Sequence, residues 1–188
     1  MNSNPSHAPQ QGRRRIVWLG ACAGLAAGLA PLAMSQAQGQ PRAGDLLVAD
    51  DVEGEPVAIK AGDVKPGKPL LAFAFDPATK QIRNDSRLNK VVLVKVDGAD
   101  LDSDSRKLAA GGVLAFSAIC THQACEVKTW LAKDKALVCF CHASKFLPLE
   151  AAKVVDGPAP RALPTLPLML KDEQLVVAGA FSARPGPS

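Results

Sequence analysis

The sequence predicts an all-β, antiparallel fold for most of this 188-residue chain. Short runs of apolar and β-branched residues recur between residues 45 and 188, and turn-forming glycine, proline and acidic residues separate them. The stretch Asp102–Ala110 has the composition of a short helix. Short strands with turn signals and little helix are typical of antiparallel sheets.

Eight runs are predicted to be strands. The Val-rich run Lys90–Val96 is the clearest, because β-branched side chains suit a pleated, half-buried surface. The apolar run Val113–Ile119 leads directly into a cysteine, and a polar turn at Asp172–Gln174 joins the last two strands into a hairpin. The full set is Leu46–Ala49, Pro69–Phe75, Lys90–Val96, Val113–Ile119, Ala136–Phe140, Lys153–Val155, Leu168–Lys171 and Leu175–Ala178.

The net charge of the chain gives no support for nucleic acid or an anionic membrane as a partner. The chain has 22 basic and 18 acidic residues, a net charge of +4. Three of the basic residues, Arg13 to Arg15, lie in the first 37 residues, which contain no acid, so 19 basic and 18 acidic residues remain. A nearly neutral domain gives no reason to expect nucleic acid or an anionic membrane surface as its partner.

The N-terminal segment has the pattern of an export signal. Arg13, Arg14 and Arg15 precede an uncharged stretch from residue 16 to residue 41, and Ser35-Gln36-Ala37 is a plausible cleavage site. This segment resembles a bacterial twin-arginine signal, which implies export to the periplasm of a protein that has already folded. We therefore expect residues 1–44 to be a signal segment with a polar joint, and residues 45–188 to be one domain.

Two alternatives exist for this segment. An uncleaved segment would be a single membrane anchor, since the apolar residues 16–33 are near the minimum length that spans a bilayer. Their many alanines and glycines make a poor anchor and favour cleavage. Lipidation at Cys22 is disfavoured, because the apolar run continues well past this residue.

Two short boxes contain four of the five cysteines and two of the three histidines. The first box, Cys120–Cys125, reads Cys-Thr-His-Gln-Ala-Cys, and the second box, Cys139–Ser144, reads Cys-Phe-Cys-His-Ala-Ser. Three chemistries use such residues: a zinc site, two plain disulfide bonds, or a 2Fe–2S cluster with two Cys and two His ligands. Zinc does not need the surplus cysteines, and plain disulfides leave both histidines without a role.

The paired boxes resemble the Rieske iron–sulfur family, in its disulfide-bearing, high-potential branch, over about residues 90–180. The resemblance implies a Rieske-type β-sandwich whose 2Fe–2S cluster lies at a tip formed by two loops. A proline-rich loop that covers the cluster corresponds to Gly157–Pro160. The implied roles in the boxes are sulfur ligands of one iron, Cys120 and Cys139; imidazole ligands of the other iron, His122 and His142; disulfide partners, Cys125 and Cys141; and a hydrogen-bond donor to a cluster sulfur, Ser144.

The resemblance implies a one-electron carrier, and the sequence offers no nucleophile or general base for substrate chemistry. The run Ala115–His122 is similar to the small subunit of arsenite oxidase. This similarity implies a periplasmic oxidoreductase subunit whose partner is a larger redox subunit, a c-type cytochrome or both.

The alternatives are a free-standing electron shuttle and the Rieske subunit of a quinol–cytochrome c reductase. The reductase subunit would need quinol and a membrane anchor. In that family Leu and Gly follow the first His, whereas Gln123 and Ala124 stand here.

Overall fold

The structure is a computed structural model that describes residues 39–51 and 53–187. The signal segment predicted for residues 1–37, including Arg13, Arg14 and Cys22, lies outside the described residues. Within the described ranges, no helix is both long enough and apolar enough to cross a membrane.

The described part of the chain is built mainly from short strands. One short helix, α1 (Ser103–Leu108), and three 3-10 turns, Arg87–Asn89, Gly98–Asp100 and Pro148–Glu150, accompany them. The strands are β1 Leu46–Ala49, β2 Leu70–Asp76, β3 Gln81–Ile82, β4 Val91–Lys95, β5 Val113–Ser117, β6 Thr129–Leu131, β7 Ala136–Cys139, β8 Ser144–Leu147, β9 Lys153–Asp156, β10 Thr165–Leu166, β11 Leu168–Lys171 and β12 Gln174–Val177.

The larger sheet has the strand order β10-β5-β4-β2-β1-β12-β11, with β3 paired to β2, and its pairs are antiparallel. Strands β10 and β11 stand at opposite ends of this order, yet Pro167 alone separates them in sequence. Since consecutive Cα atoms are about 3.8 Å apart, the two edges of the sheet must approach each other. The sheet is therefore strongly curled.

The smaller sheet, β6-β7-β8-β9, is also antiparallel and carries the second box. Its strands β7 and β8 form a hairpin in which Cys139 pairs with Ser144. The first box instead follows β5 of the larger sheet. The two boxes thus come from different sheets, and the sheets must pack together to bring them close.

Two apolar cores hold these sheets. One lies within the curled sheet and contains Leu47, Leu93 and Leu175. The other lies beneath the boxes, where Phe116, Leu137 and Phe146 are fully buried beside Cys120 and Cys139. Each fully buried side chain of this size stabilises the fold by about 1.5–3 kcal/mol. The second core fixes the positions of the strands that lead into both boxes.

The all-β, antiparallel prediction is confirmed, and each predicted strand is present to within two residues at either end. Sequence patterns did not identify β3, β6, β8 and β10, which are two to four residues long. The predicted hairpin turn was one residue too long, because Gln174 already belongs to β12. Asp172 and Glu173 have φ angles of 50° and 66°, as a two-residue type I′ hairpin turn requires.

Candidate metal centre

The first box is a tight turn at the end of β5. The N–H of Cys120 donates to the carbonyl of Cys125 (2.8 Å), and the N–H of Ala124 donates to the carbonyl of Cys120 (3.1 Å). The turn reverses the chain, so that Glu126 pairs with Ile119 in an isolated antiparallel bridge. These bonds fix the backbone on both sides of His122.

The second box occupies the connection between β7 and β8. Its first and last residues, Cys139 and Ser144, are both buried, whereas Phe140, Cys141, His142 and Ala143 are exposed. Ala143 has a φ of 59°, in the left-handed region that costs a non-glycine residue roughly 1–2 kcal/mol. The hairpin presents a short exposed tip, and Cys139 at its base is buried.

Cys120 and Cys139 carry free thiols, and both residues are 1% exposed. Burial raises the pKa of the Cys120 thiol, and its hydrogen bond with Cys139 raises it further. The backbone N–H groups of His122 and Gln123 act in the opposite direction, because they donate to the Cys120 sulfur. The two thiols are thus close neighbours, and backbone donors already point at one of them.

Both histidines are close in sequence to these thiols, and their two rings are in contact. The ring centroids of His122 and His142 are 4.6 Å apart, and the ring planes meet edge-on at 84°. His142 is exposed, and His122 is partly buried. Within the described part of the chain, Nδ1 of His122 is the one buried side-chain nitrogen or oxygen without a hydrogen-bond partner. A buried imidazole nitrogen without a partner is unfavourable unless it binds a ligand.

A disulfide bond joins Cys125 of the first box to Cys141 of the second, across a sequence separation of 16 residues. The Cys139 thiol lies beside it, since the sulfur atoms of Cys125, Cys139 and Cys141 are within 4.8 Å of one another. Two of these three sulfurs are bonded to each other, so the trio itself is not a metal site. The disulfide is the pair that the family resemblance implied, and it ties the two sheets together at the tip.

The loop Gly157–Pro160 packs against the second box. The N–H of Ala159 donates to the hydroxyl oxygen of Ser144 (3.1 Å). Gly157 has a φ of +83°, and a Cβ atom there would lie 2.5 Å from Cα of Ser144. Only glycine allows the backbone of this loop to approach so closely.

Several supporting residues were not identified from the sequence. The guanidinium of Arg87 donates to the carbonyl of Ala124 (2.6 Å). The ammonium of Lys90 lies between the carboxylates of Asp50 and Glu126, at 2.9 Å from each, and 5.5 Å from the ring centroid of Phe73. Arg87 is 37 residues from Ala124 in the first box, and Lys90 is 36 residues from Glu126, which directly follows the box, so no local pattern marks these pairs.

These side chains fit a 2Fe–2S cluster with mixed ligands. Two buried thiols and two adjacent imidazoles supply two sulfur and two nitrogen donors, which is the donor set of a Rieske-type centre. The hydrogen bond that buried Nδ1 of His122 lacks would be replaced by a bond to iron. The structure has one disulfide among the four box cysteines, and not the two that the plain-disulfide interpretation requires.

Comparison with known proteins gives the same chemistry. The sequence pattern of the Rieske [2Fe-2S] domain matches residues 44–167. A putative respiratory nitrate reductase subunit Rieske from Haloferax mediterranei is 40% identical over 87 residues, which are 46% of this chain and 39% of that protein. The cytochrome bc1 complex Rieske iron-sulfur subunit of Corynebacterium glutamicum is 36% identical over 106 residues, 53% of this chain and 26% of that protein.

The chain thus spans well under half the length of these two relatives. A cyanobacterial plasma membrane Rieske protein, PetC3 from Synechocystis, superposes with a TM-score of 0.42 at 25% identity, over 63% of this chain and 93% of that one. Since the match to the domain family covers well over half of the 188 residues, the chain belongs to the Rieske [2Fe-2S] domain family, and it is an electron carrier whose cofactor is a Rieske-type 2Fe–2S cluster.

Proposed function

We propose that Cys120, His122, Cys139 and His142 hold the cluster. Two observations support this assignment: Cys120 and Cys139 carry buried free thiols, and the rings of His122 and His142 are in contact, with one buried ring nitrogen that has no hydrogen-bond partner. The thiol sulfurs of Cys120 and Cys139 would bind one iron, and the rings of His122 and His142 the other. When bound, the cluster supplies a one-electron couple at about −150 to +300 mV, because neutral imidazole replaces two thiolates.

The surrounding residues keep the sulfur side dry and leave the histidine side open. Phe116, Leu137 and Phe146 are fully buried in the core that contains both free cysteines. His142 is exposed, so its ring would be the shortest route for an electron to a docked partner. His142 and the partly buried His122 are also the ligands that can exchange a proton with water.

Ser144 is placed to donate a hydrogen bond to the cluster. Its oxygen already accepts from Ala159, and a hydroxyl that accepts one bond still has its own proton to donate. The residue is 1% exposed and directly follows the exposed tip of the second box. A donor to a cluster sulfur favours the reduced state, since reduction adds negative charge at the acceptor.

We further propose that this carrier is the small subunit of a larger periplasmic oxidoreductase, of the kind that arsenite oxidase represents. The run Ala115–His122 supports this. Phe146 supports it too: the Rieske family often has Tyr two places after the Ser of the second box, whereas the buried Phe146 resembles the arsenite oxidase pattern and has no hydroxyl to donate. The name of the Haloferax relative, a respiratory nitrate reductase subunit, is consistent with a larger redox partner. A c-type cytochrome would then accept or deliver the electron.

A second candidate is the Rieske subunit of a quinol–cytochrome c reductase, because the Corynebacterium relative carries that function in its name. Against it, exposed Gln123 stands where that branch has an apolar residue for quinol docking. The neighbouring genes separate the two candidates: a molybdopterin subunit supports the first, and a cytochrome b with a cytochrome c supports the second.

Export is the third part of the proposal. Replacement of Arg13 and Arg14 with Lys should leave precursor in the cytoplasm, whereas a precursor with Arg42→Lys, outside the signal pattern, should be exported normally. The soluble form should begin near Gln38 by N-terminal sequencing. A protein found only in membranes with its first residues intact would support the reductase candidate and an uncleaved anchor.

Metal and sulfide analysis tests the ligand assignment. The purified protein should contain two irons and two acid-labile sulfides per chain, and its reduced form should give an EPR spectrum with an average g value well below 2. His142→Ala and Cys139→Ser should lose the cluster, whereas Ser105→Ala, a buried serine beside Leu149, should retain it. One zinc per chain without iron would refute the assignment.

A further inference from the structure

Residues 181–187 form a strap across the base of the first box, and we call them the C-terminal strap. The N–H of Ser182 donates to the carbonyl of Thr165 (2.9 Å), and the N–H of Thr165 donates to the hydroxyl of Ser182 (2.9 Å). Pro185 and Gly186 are buried against the domain. The strap lies outside residues 44–167, which match the family pattern, so the shared family features do not explain it.

One side chain joins this strap to the metal centre. Nη2 of Arg161 donates to the carbonyls of Arg184 (2.7 Å) and Gly186 (2.6 Å). The carbonyl of the same Arg161 accepts a hydrogen bond from the hydroxyl of Thr121 (2.7 Å), and Thr121 stands between Cys120 and His122. Arg161 also directly follows the loop Gly157–Pro160. It therefore connects the strap, the first box and the proline-rich loop.

The far end of the strap packs under the same box. A Cβ atom at Gly186, where φ is +79°, would lie 3.0 Å from Cδ2 of Leu88 and 3.7 Å from Cγ2 of Ile119. Ile119 directly precedes Cys120, and Leu88 follows Arg87, whose guanidinium holds the carbonyl of Ala124. Gly186 therefore packs against the residue that precedes the first box, and against the neighbour of the arginine that binds its other end.

We propose that Arg161 is a positioning residue that clamps the C-terminal strap beneath the first box and so keeps Cys120 and His122 in register for the cluster. This inference rests on the proposed ligand set. A guanidinium offers charged donors in a rigid fork, and two backbone carbonyls of the strap meet it from one side. Ligands on a turn depend on such outer contacts, because the turn itself contributes few packing interactions.

The chain offers a matched control. Arg161→Ala removes the clamp, whereas Arg184→Ala removes an equal charge from the strap and leaves the carbonyl that Arg161 holds. Gly186→Ala disturbs the packing from the opposite end through Leu88 and the positive φ. All three are compared with the wild type as cluster-loaded proteins, by iron release to a ferrous chelator, EPR line shape and amide hydrogen exchange.

Arg161→Ala, which loses both hydrogen bonds to the strap, and Gly186→Ala, which disturbs its packing, should each release iron about tenfold faster than the wild type. A tenfold faster rate corresponds to a barrier lower by about 1.4 kcal/mol. In both variants, hydrogen exchange at the amides of Cys120 and Ala124 should accelerate by a similar factor, and the EPR line should broaden. The amides of β1 and β12 should keep their protection from exchange. Arg184→Ala should match the wild type in every measurement.

Two results would overturn the clamp. Equal rates of iron release in Arg161→Ala and Arg184→Ala would show that the Arg161 guanidinium does not position the first box. Exchange that accelerates equally in the first box and in β12 would show a general loss of stability instead. Neither result affects the ligand assignment, which fails separately if the wild-type protein binds no iron or sulfide.

Discussion

The hydroxyl oxygen of Ser144 accepts a hydrogen bond from the backbone N–H of Ala159 at 3.1 Å. This bond joins the first residue of β8 to the proline-rich loop Gly157–Pro160, and it orients a hydroxyl that is 1% exposed. This bond occupies one lone pair of the Ser144 oxygen and leaves the hydroxyl proton available to another acceptor. The contact joins this loop to the last residue of the second box.

Ser144→Ala should lower the reduction potential. A hydrogen bond to a charged acceptor is worth roughly 1.5–3 kcal/mol, and only the difference between the two redox states counts. Since about 59 mV is a tenfold change for a one-electron couple, we expect a decrease on the order of 50–130 mV. Protein-film voltammetry measures it, with Ser105→Ala as the control. An unchanged potential would mean that the Ser144 proton points elsewhere, and an increase would refute the electrostatic account.

Gly157→Ala should loosen the covering loop. A Cβ atom there would lie 2.5 Å from Cα and 2.7 Å from N of Ser144, so the two backbones must separate. The control is Gly54→Ala, because Gly54 has a similar φ of +92° but no atom within 4 Å of the added carbon. Gly157→Ala should be the less stable variant by about 1–3 kcal/mol, the usual range for overpacking. Equal urea midpoints for the two variants would show that the loop tolerates the separation.

Loss of the disulfide should weaken the tip. The double variant Cys125→Ser, Cys141→Ser removes a link across 16 residues, and closure of a loop of this length stabilises a fold by about 3 kcal/mol. The double variant is preferable to either single one, because a single thiol left beside Cys139 could form a new disulfide with it. We expect a lower urea midpoint and faster iron release. An unchanged midpoint would show that the sheets hold the boxes together without the disulfide.

The pair Lys90–Glu126 should make stability depend on acid pH. Burial alone would raise the pKa of Glu126, but hydrogen bonds from Lys90 and Lys128 outweigh it and hold the pKa below the ordinary value of 4.5. A carboxylate with a depressed folded-state pKa stabilises the fold above its unfolded pKa and loses that contribution as the pH falls through the folded value. The wild type should therefore lose stability progressively below about pH 4.5.

As the pH decreases from 7 to 3, the melting temperature of Glu126→Gln should fall by a few degrees less than that of the wild type. Glu150→Gln is the control, because Glu150 pairs with Lys153 on the surface, where both side chains are more than half exposed. If the melting temperatures of Glu126→Gln and the wild type fall equally with decreasing pH, the contacts of Lys90 contribute no pH-dependent stability.

The sequence by itself determined the candidate ligands and the main strands. The donor atoms of Cys120, His122, Cys139 and His142 could be named because cysteine and histidine carry the chemistry in their own side chains, whatever fold surrounds them. The strands β4 and β5 were predictable because long runs of β-branched and apolar residues make a local signal. Strands as short as β3 and β10 give no such signal, since two residues cannot show a periodicity.

Tertiary structure alone decided which groups surround those ligands. The bonds Ala159 to Ser144, Arg87 to Ala124, and Thr121 to Arg161 join residues 15, 37 and 40 positions apart. Their partners are backbone atoms, which every residue has, so no residue type marks them in the sequence. They exist because the curled sheet and the smaller sheet bury a common core and bring distant turns into contact. The chemistry of this centre is therefore local in the sequence, and its support depends on the packing of the two sheets.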